Sequence, residues 1–314
     1  MWLLIPIFFL GFLTPIQTAA NSRLRQSVVS PMVASLVSFT VGTIFLAIVV
    51  LCEKGSLWIE NELIESLPWW AWCGGMCGLW GLTVNIIIFP KLGAVQTALM
   101  PMLGQIVMGI IIDSSGLLQS PIFPFTLKRA LALLILLIGI VMIVKRKEDA
   151  GKNANLLVWQ LIGISGGAVF AMQPSMNSLL SMGLSSSVHA AFISFITATI
   201  MLLILVLIIP KDRINIPKIF LSHSLFSNGS TTLSRPWWSW LGGIIGGIFV
   251  TGFAFFASKT GIGILLITSI SGMLTNSLII DKFGLLGAVK KRIGPMQYIG
   301  LVLVITGIII LRLK

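Results

Sequence analysis

Four amide side chains share one spacing in this sequence. Gln17 and Asn21 are four residues apart, and Gln173 and Asn177 repeat the pair 156 positions later. A spacing of four places both members of a pair on one face of a helix. An amide that faced lipid would keep unpaired polar atoms, so each pair must face protein or water. We predict a solute-binding rim; the alternative is interhelical hydrogen bonding, worth about 0.6 kcal/mol per bond.

Further polar side chains lie in the apolar segments around residues 100 and 270. Pro101 interrupts the middle of the first segment, and a broken helix is a pointer to a transporter site. For these side chains, lining of a solute pathway and helix packing both remain open. Asn85 is a weaker candidate in the preceding segment. The full set of predicted substrate-binding residues is Gln17, Asn21, Asn85, Gln96, Gln105, Gln173, Asn177 and Asn276.

Residues for covalent or metal chemistry are scarce. Three cysteines and two histidines are too few and too scattered for a zinc site or a disulfide framework. A GxSxG match at 163–167 lies inside an apolar segment, and the sequence has no nucleotide-binding P-loop motif. Asp113 and Asp281 end apolar segments, where we predict solvated loop residues or partners of a nearby lysine. We predict no catalytic residue, no metal, no cofactor and no enzymatic activity.

The elements that position these residues are membrane-spanning helices. Hydrophobic residues make up 56% of the 314 residues and charged residues only 10%, whereas soluble domains carry about 25% charged residues. This composition excludes an ordinary water-soluble globule. A helix needs about 20 largely apolar residues to cross a bilayer. Ten segments meet that rule, at 2–21, 31–51, 69–89, 92–112, 127–145, 157–179, 188–209, 237–257, 262–280 and 297–312.

The second half of the sequence repeats the first. A Pro-Trp-Trp-x-Trp motif followed by two glycines begins at Pro68 and again at Pro236, and the pair Ile112-Asp113 recurs as Ile280-Asp281. The offset between matching residues is 156 in the first two spans and 168 after the loop that precedes the Trp motif. This pattern indicates a duplication. We predict one five-helix repeat at 1–150 and a second at 151–314.

An odd number of spans in each half requires the second half to enter the membrane in the opposite orientation. The predicted fold is therefore an all-α membrane protein of ten transmembrane helices, arranged as two inverted five-helix repeats. Most of the 21 Lys and Arg residues fall in loops on the same side as Arg23 and the linker that contains Lys145. Because basic loops stay inside, this bias predicts that both termini lie outside.

The segment from Pro15 to Leu24, the repeated Trp motif and the Asp-x-x-Gly-Leu end of the fourth span resemble the YdcZ-type family of the drug/metabolite transporter superfamily. The resemblance covers nearly the whole chain twice. It implies a multi-pass protein of the bacterial inner membrane with two antiparallel five-helix domains. It also implies export of small metabolites or drugs. The repeats differ at two candidate positions, since Met273 replaces Gln105 and Phe253 replaces Asn85.

We therefore predict a secondary transporter that exports a small polar metabolite or drug-like solute by alternating access. Two alternatives stay open: a non-transporting membrane subunit or assembly protein, and a membrane-embedded enzyme. The predicted partners are a small-molecule solute and the lipid bilayer, without nucleic acid, and the sequence leaves a homodimer open. Loss of solute flux in Gln17→Ala and Gln173→Ala would distinguish transport from a packing role of these amides.

Overall fold

The computed structural model describes residues 2–124, 126–144, 156–219, 236–287 and 294–310, and these residues form helices and no strands. The predicted repeat boundary at 150/151 lies outside the described residues. The helices are α1 Leu4–Val28, α2 Pro31–Lys54, α3 Asn61–Ser66, α4 Gly74–Ser115, α5 Leu127–Val144, α6 Leu156–Gly183, α7 Ser187–Ile208, α8 Pro210–Arg213, α9 Leu241–Thr260, α10 Ile262–Phe283 and α11 Pro295–Ile310.

Seven segments of the described chain are long and apolar enough to cross a membrane. The predicted fifth and tenth spans correspond to shorter apolar helices, Ala130–Ile143 and Pro295–Gly307. The seven longer segments are Leu4–Val28, Pro31–Lys54, Gln96–Ser115, Leu156–Gly183, Ser187–Ile208, Trp237–Thr260 and Ile262–Phe283.

The helical segment α4 covers both the third and the fourth span that the sequence predicts. In a straight helix, residues 84 and 101 would be separated by about 25 Å. Instead, Val84 packs against Gly166, and the Pro101 carbonyl packs against the adjacent Gly167. The segment therefore reverses direction between these contacts and consists of two antiparallel legs. In the second half, Gly261 at φ 83° separates the corresponding helices α9 and α10.

The first helix of each half packs against the third and fourth spans of the other half. In α1, Gly11 lies against the backbone of Ser269 in α10, and the matching Gly167 of α6 lies against Pro101 in α4. A side chain at either glycine would collide with a carbonyl oxygen. Glycine permits this close approach of two backbones, which is how helices associate in lipid. The two halves are therefore interleaved.

Helices α2 and α7 cross in antiparallel orientation at the centre of the protein. Leu202 near the end of α7 packs in one cluster with Val33 near the start of α2. Leu46 near the end of α2 packs with Ala191 near the start of α7. Each helix begins at a serine whose hydroxyl caps it, because Ser30 Oγ accepts a hydrogen bond from Val33 N at 3.2 Å and Ser186 Oγ accepts one from His189 N at 3.1 Å.

Candidate functional site

A central cavity of about 740 Å³ lies between the two halves of the protein. Its size is typical of a small-molecule site. Five of the eight predicted substrate-binding residues line it, namely Gln17, Asn21, Asn85, Gln105 and Gln173. The other three do not line the cavity, and they are Gln96, Asn177 and Asn276.

The two glutamines of the predicted pairs line the cavity from different helices, Gln17 from α1 and Gln173 from α6. Gln17 faces Gly246 of α9, and Gln173 faces Gly78 in the first leg of α4. These glycines match each other at the offset of 168, so the two contacts are equivalent in the two repeats. Gln173 Nε2 also donates a hydrogen bond to Ser194 Oγ at 3.2 Å. Glutamines from both halves therefore meet one solute space.

The two asparagines of the predicted pairs have different surroundings although their contacts match. Asn21 Oδ1 lies against Gly242 and Asn177 Oδ1 lies against Gly74, and neither oxygen accepts a hydrogen bond from the described residues. Asn21 is half-buried and lines the cavity. Asn177 is only 1% exposed and donates to Ser194 Oγ at 3.3 Å. The two asparagines thus match in the sequence but differ in solvent exposure.

The predicted residues that do not line the cavity hold helices together. Gln160 Nε2 donates a hydrogen bond to Gln96 Oε1 at 3.0 Å, which links α6 to α4. Asn276 is buried and its Nδ2 donates to the Phe12 carbonyl at 2.6 Å, which links α10 to α1. These contacts agree with helix packing, the alternative role that the sequence left open for Gln96 and Asn276.

The walls of the cavity differ in polarity. Asn85 and Gln105 line it from the two legs of α4, and the matching positions across the cavity are Phe253 and Met273. Further aromatic rings line the cavity, those of Phe39, Phe170, Phe195 and Phe249. The ring centroids of Phe39 and Phe195 lie 5.0 Å apart, and those of Phe249 and Phe253 lie 4.0 Å apart. The cavity lining therefore combines amide side chains with an apolar, largely aromatic surface.

The cavity extends from the middle of the protein toward one end only. At that end Ser277, Asp281 and Gln297 line it, and we call these three residues the cavity mouth. The sequence pattern singled out Asp281 as a repeated acid but did not predict a position in the cavity. It gave no indication of Gln297, whose repeat counterpart at the offset of 168 is the basic Arg129.

The structure corrects the prediction for Asp113. Asp113 is 4% exposed rather than solvated, and its two carboxylate oxygens accept hydrogen bonds from Ile262 N at 2.6 Å and Gly263 N at 3.0 Å. These two amides begin α10, where backbone N–H groups lack partners within the helix and favour a negative charge. Asp113 therefore joins α4 to α10 at the end opposite the cavity mouth. We call this contact the Asp113 clamp.

The described residues contain no group of three or more His, Cys, Asp or Glu side chains arranged to hold a metal ion. Cys77 is buried, Cys73 is half-buried and Cys52 is exposed, and all three are free thiols. The cavity instead presents amides, hydroxyls and one carboxylate, Asp281. These groups can bind a solute by hydrogen bonds and charge.

Comparison with known families agrees with the repeat seen in the sequence. The family described as "Putative inner membrane exporter, YdcZ" matches residues 1–142 and again residues 158–310. The chain belongs to the YdcZ family. It is therefore a multi-pass inner-membrane protein of a transport family, in agreement with the resemblance of its motifs.

Comparison with solved structures agrees with the fold. One crystal structure superimposes with a TM-score of 0.69 at 12% sequence identity, over 99% of this chain and 96% of that chain. At this identity the likeness concerns the fold alone. Comparison with curated proteins gives no significant match.

Proposed function

We propose that this YdcZ-family chain is a secondary transporter that exports a small solute by alternating access. The observation that carries the proposal is a cavity lined by Gln17 from one half and Gln173 from the other. A solute site at the interface of two repeats is the arrangement found in transporters that rock one repeat against the other.

We further propose that the chain crosses the membrane ten times as two inverted repeats. Two observations support this arrangement. The antiparallel crossing of α2 and α7 is what inversion of the second half requires. The reversal within α4 supplies the third and fourth spans as two legs of one helical segment. With α5 and α11 as the fifth and tenth spans, each half contributes five.

The polarity of the cavity walls supports an amphipathic solute. Asn85 and Gln105 offer hydrogen-bond donors and acceptors, whereas Phe253 and Met273 offer an apolar surface that an aromatic or aliphatic body would cover. A solute with a polar head and an apolar body could hydrogen-bond to the amides and contact the apolar side chains at the same time. Among the described residues the one cavity-lining carboxylate, that of Asp281, lies at the mouth rather than at the centre.

The proposal is tested in two steps. First, thermal unfolding of the purified protein is measured against a library of small amphipathic metabolites and drugs, because a ligand that binds only the folded state stabilises it. Second, flux of the best ligand is measured in proteoliposomes for the wild type, Gln17→Ala and Gln173→Ala. The matched control is Gln26→Ala, since Gln26 lies on α1 but is exposed outside the cavity.

We expect both cavity variants to lose most of the flux and the ligand-induced stabilisation while keeping the folded yield of the control. Unchanged flux in both cavity variants would contradict the proposal and favour a packing role for the amides. A protein that binds no library member and moves none of them would support a non-transporting membrane subunit.

A further inference from the structure

The cavity is closed at one end by a contact whose symmetry-related counterpart can be located in the sequence. The Asp113 clamp joins the end of α4 to the backbone amides of Ile262 and Gly263. At the offset of 168, the counterpart of Asp113 is Asp281, and the counterparts of the two amides belong to residues 94 and 95. Those amides lie within α4, between the contacts that mark its two legs.

The two equivalent acids occupy different positions in the structure. Asp113 is buried in its clamp, whereas Asp281 is half-buried and lines the cavity mouth. Each acid ends the fourth span of its own half, and the two fourth spans run in opposite directions if the halves are inverted. The acids therefore mark opposite ends of the cavity.

Other residues toward the two ends of the cavity show the same difference. Asn21 and Ser35 line the cavity toward the mouth. Their counterparts at the offset of 156 are Asn177 and Ala191, which are 1% and 0% exposed. The residues at the two ends thus correspond in the sequence, but they are packed differently. One end has the closed arrangement and the other has the open arrangement of the same set of residues.

We propose that Asp113 and Asp281 are reciprocal clamps that hold the two ends of the cavity closed in alternate states. In the state described here, the Asp113 carboxylate holds α10 and closes its end. In the opposite state, Asp281 accepts hydrogen bonds from the backbone amides of residues 94 and 95 and closes the mouth, while Asp113 releases α10 and lines the opened end. This inference rests on the proposed alternating-access function.

The physical reason for a carboxylate in this place is the polarity of a helix start. The first N–H groups of a helix have no partner within it, and together they attract a negative charge. A carboxylate accepts hydrogen bonds from two such groups at once. When the helix moves away, water can take the place of the carboxylate. An asparagine in the same place offers one acceptor oxygen and no charge, so Asp→Asn weakens a clamp with little change in volume.

The test measures the accessibility of each end in the purified protein. The native cysteines are removed as Cys52→Ser, Cys73→Ala and Cys77→Ala, and one reporter is added, either Ser35→Cys near the mouth or Ala191→Cys at the closed end. Labelling rates with N-ethylmaleimide are then compared for the parent, Asp113→Asn and Asp281→Asn. Glu65→Gln is the control, because Glu65 is an exposed acid outside the cavity.

We expect the two variants to change labelling in opposite directions. Loss of a hydrogen-bonded charge changes a two-state population by about tenfold. Asp113→Asn should slow labelling of Ser35→Cys and speed labelling of Ala191→Cys by up to that factor. Asp281→Asn should speed labelling of Ser35→Cys and slow labelling of Ala191→Cys, because the mouth can no longer be clamped. Glu65→Gln should change neither rate.

Changes in the same direction, or no change in Asp281→Asn, would overturn the proposal. If Asp113→Asn does not fold, Asp281→Asn alone decides the question, because Asp281 is half-buried and lines the cavity. The assay needs no solute. If neither variant shifts labelling while a ligand still stabilises the wild type, the clamp proposal fails and the transport proposal stands. If the variants shift labelling in opposite directions but no ligand is found, the clamp proposal stands and the transport proposal lacks its support.

Discussion

Thr43 of α2 and Thr199 of α7 face each other with their hydroxyl oxygens 3.0 Å apart, and the two residues occupy the same position in the two repeats, 156 residues apart. The rings of Phe39 and Phe195, also equivalent, pack one turn away with centroids 5.0 Å apart. A contact between equivalent residues lies on a two-fold axis. In the proposed inverted-repeat arrangement, the axis that relates the repeats would pass between α2 and α7.

The threonine contact predicts a small and symmetric energetic coupling. Thr43 Oγ1 and Thr199 Oγ1 each donate at 2.8 Å to a carbonyl in their own helix, so one of them must share its proton to bond the other. We expect Thr43→Val and Thr199→Val each to lower the free energy of unfolding by about 0.6 kcal/mol, and the double variant by no more than either. Thermal unfolding in detergent with a double-mutant cycle measures this; full additivity would refute the coupling.

The close backbone contacts predict a strong response to one added methyl group. A Cβ on Gly272 of α10 would collide with the Phe8 carbonyl, whereas a Cβ on Gly294 would meet nothing within 4 Å. We expect Gly272→Ala to destabilise the protein by about 1–3 kcal/mol because the helices must separate. Gly294→Ala should leave the melting temperature unchanged. Equal melting temperatures for the two variants would contradict the packing described for α1 and α10.

The serine caps predict paired losses of stability at the two ends of the α2 and α7 crossing. Ser30 Oγ donates to Asp212 Oδ1 at 2.6 Å, and Ser186 Oγ donates to Glu53 Oε2 at 2.9 Å, while each hydroxyl also caps its own helix. We expect Ser30→Ala or Ser186→Ala to cost about 0.5–2 kcal/mol.

A double variant at either end should cost less than the sum of its single variants, because both members serve one contact. Chemical or thermal unfolding of Ser30→Ala, Asp212→Asn and their combination measures this. Ser114→Ala is the control, since its exposed hydroxyl donates a hydrogen bond to the Ile111 carbonyl of its own helix. A loss at Ser114 as large as that at Ser30 would argue against a capping role.

The exposed thiol of Cys52 predicts the orientation of the chain. Cys52 lies near the end of α2, close to Lys54, and the charge bias places that end outside. In a Cys73→Ala, Cys77→Ala background, a membrane-impermeant maleimide should label Cys52 in spheroplasts within the time that labels a known external thiol. Labelling only after the membrane is permeabilised would show that the termini lie inside.

The sequence predicted the apolar helices and the repeat because both can be recognised from local patterns of residues. Apolar length defines the spans, and the offsets of 156 and 168 locate equivalent residues. It did not predict that the third and fourth spans form one helical segment, since a reversal in α4 depends on contacts with α6. The seven long apolar segments in the described chain support a multi-spanning protein, while the number ten stays a prediction.

The lining of the cavity was predicted only in part, because helix periodicity defines a face but not the neighbour that covers it. Asn177 and Asn276 carry the same amide as Asn21, yet each is buried against another helix. Asp113 was assigned to solvent because it ends a span, and only the arrival of α10 buries it. A repeated sequence suggests equal roles for matching residues, whereas a single state of the protein can place them differently.

The interleaving of the halves has a consequence for how the chain is made. Helix α1 leaves the ribosome first, but its neighbours α9 and α10 begin only at residue 241. At ~5–20 residues per second, the delay is about 10–40 s. During that interval Gln17 and Asn21 lack their contacts with Gly246 and Gly242 of α9, so the nascent helix must be held by the insertion machinery or by early helices such as α2. Assembly of this protein is therefore completed by its last-made spans.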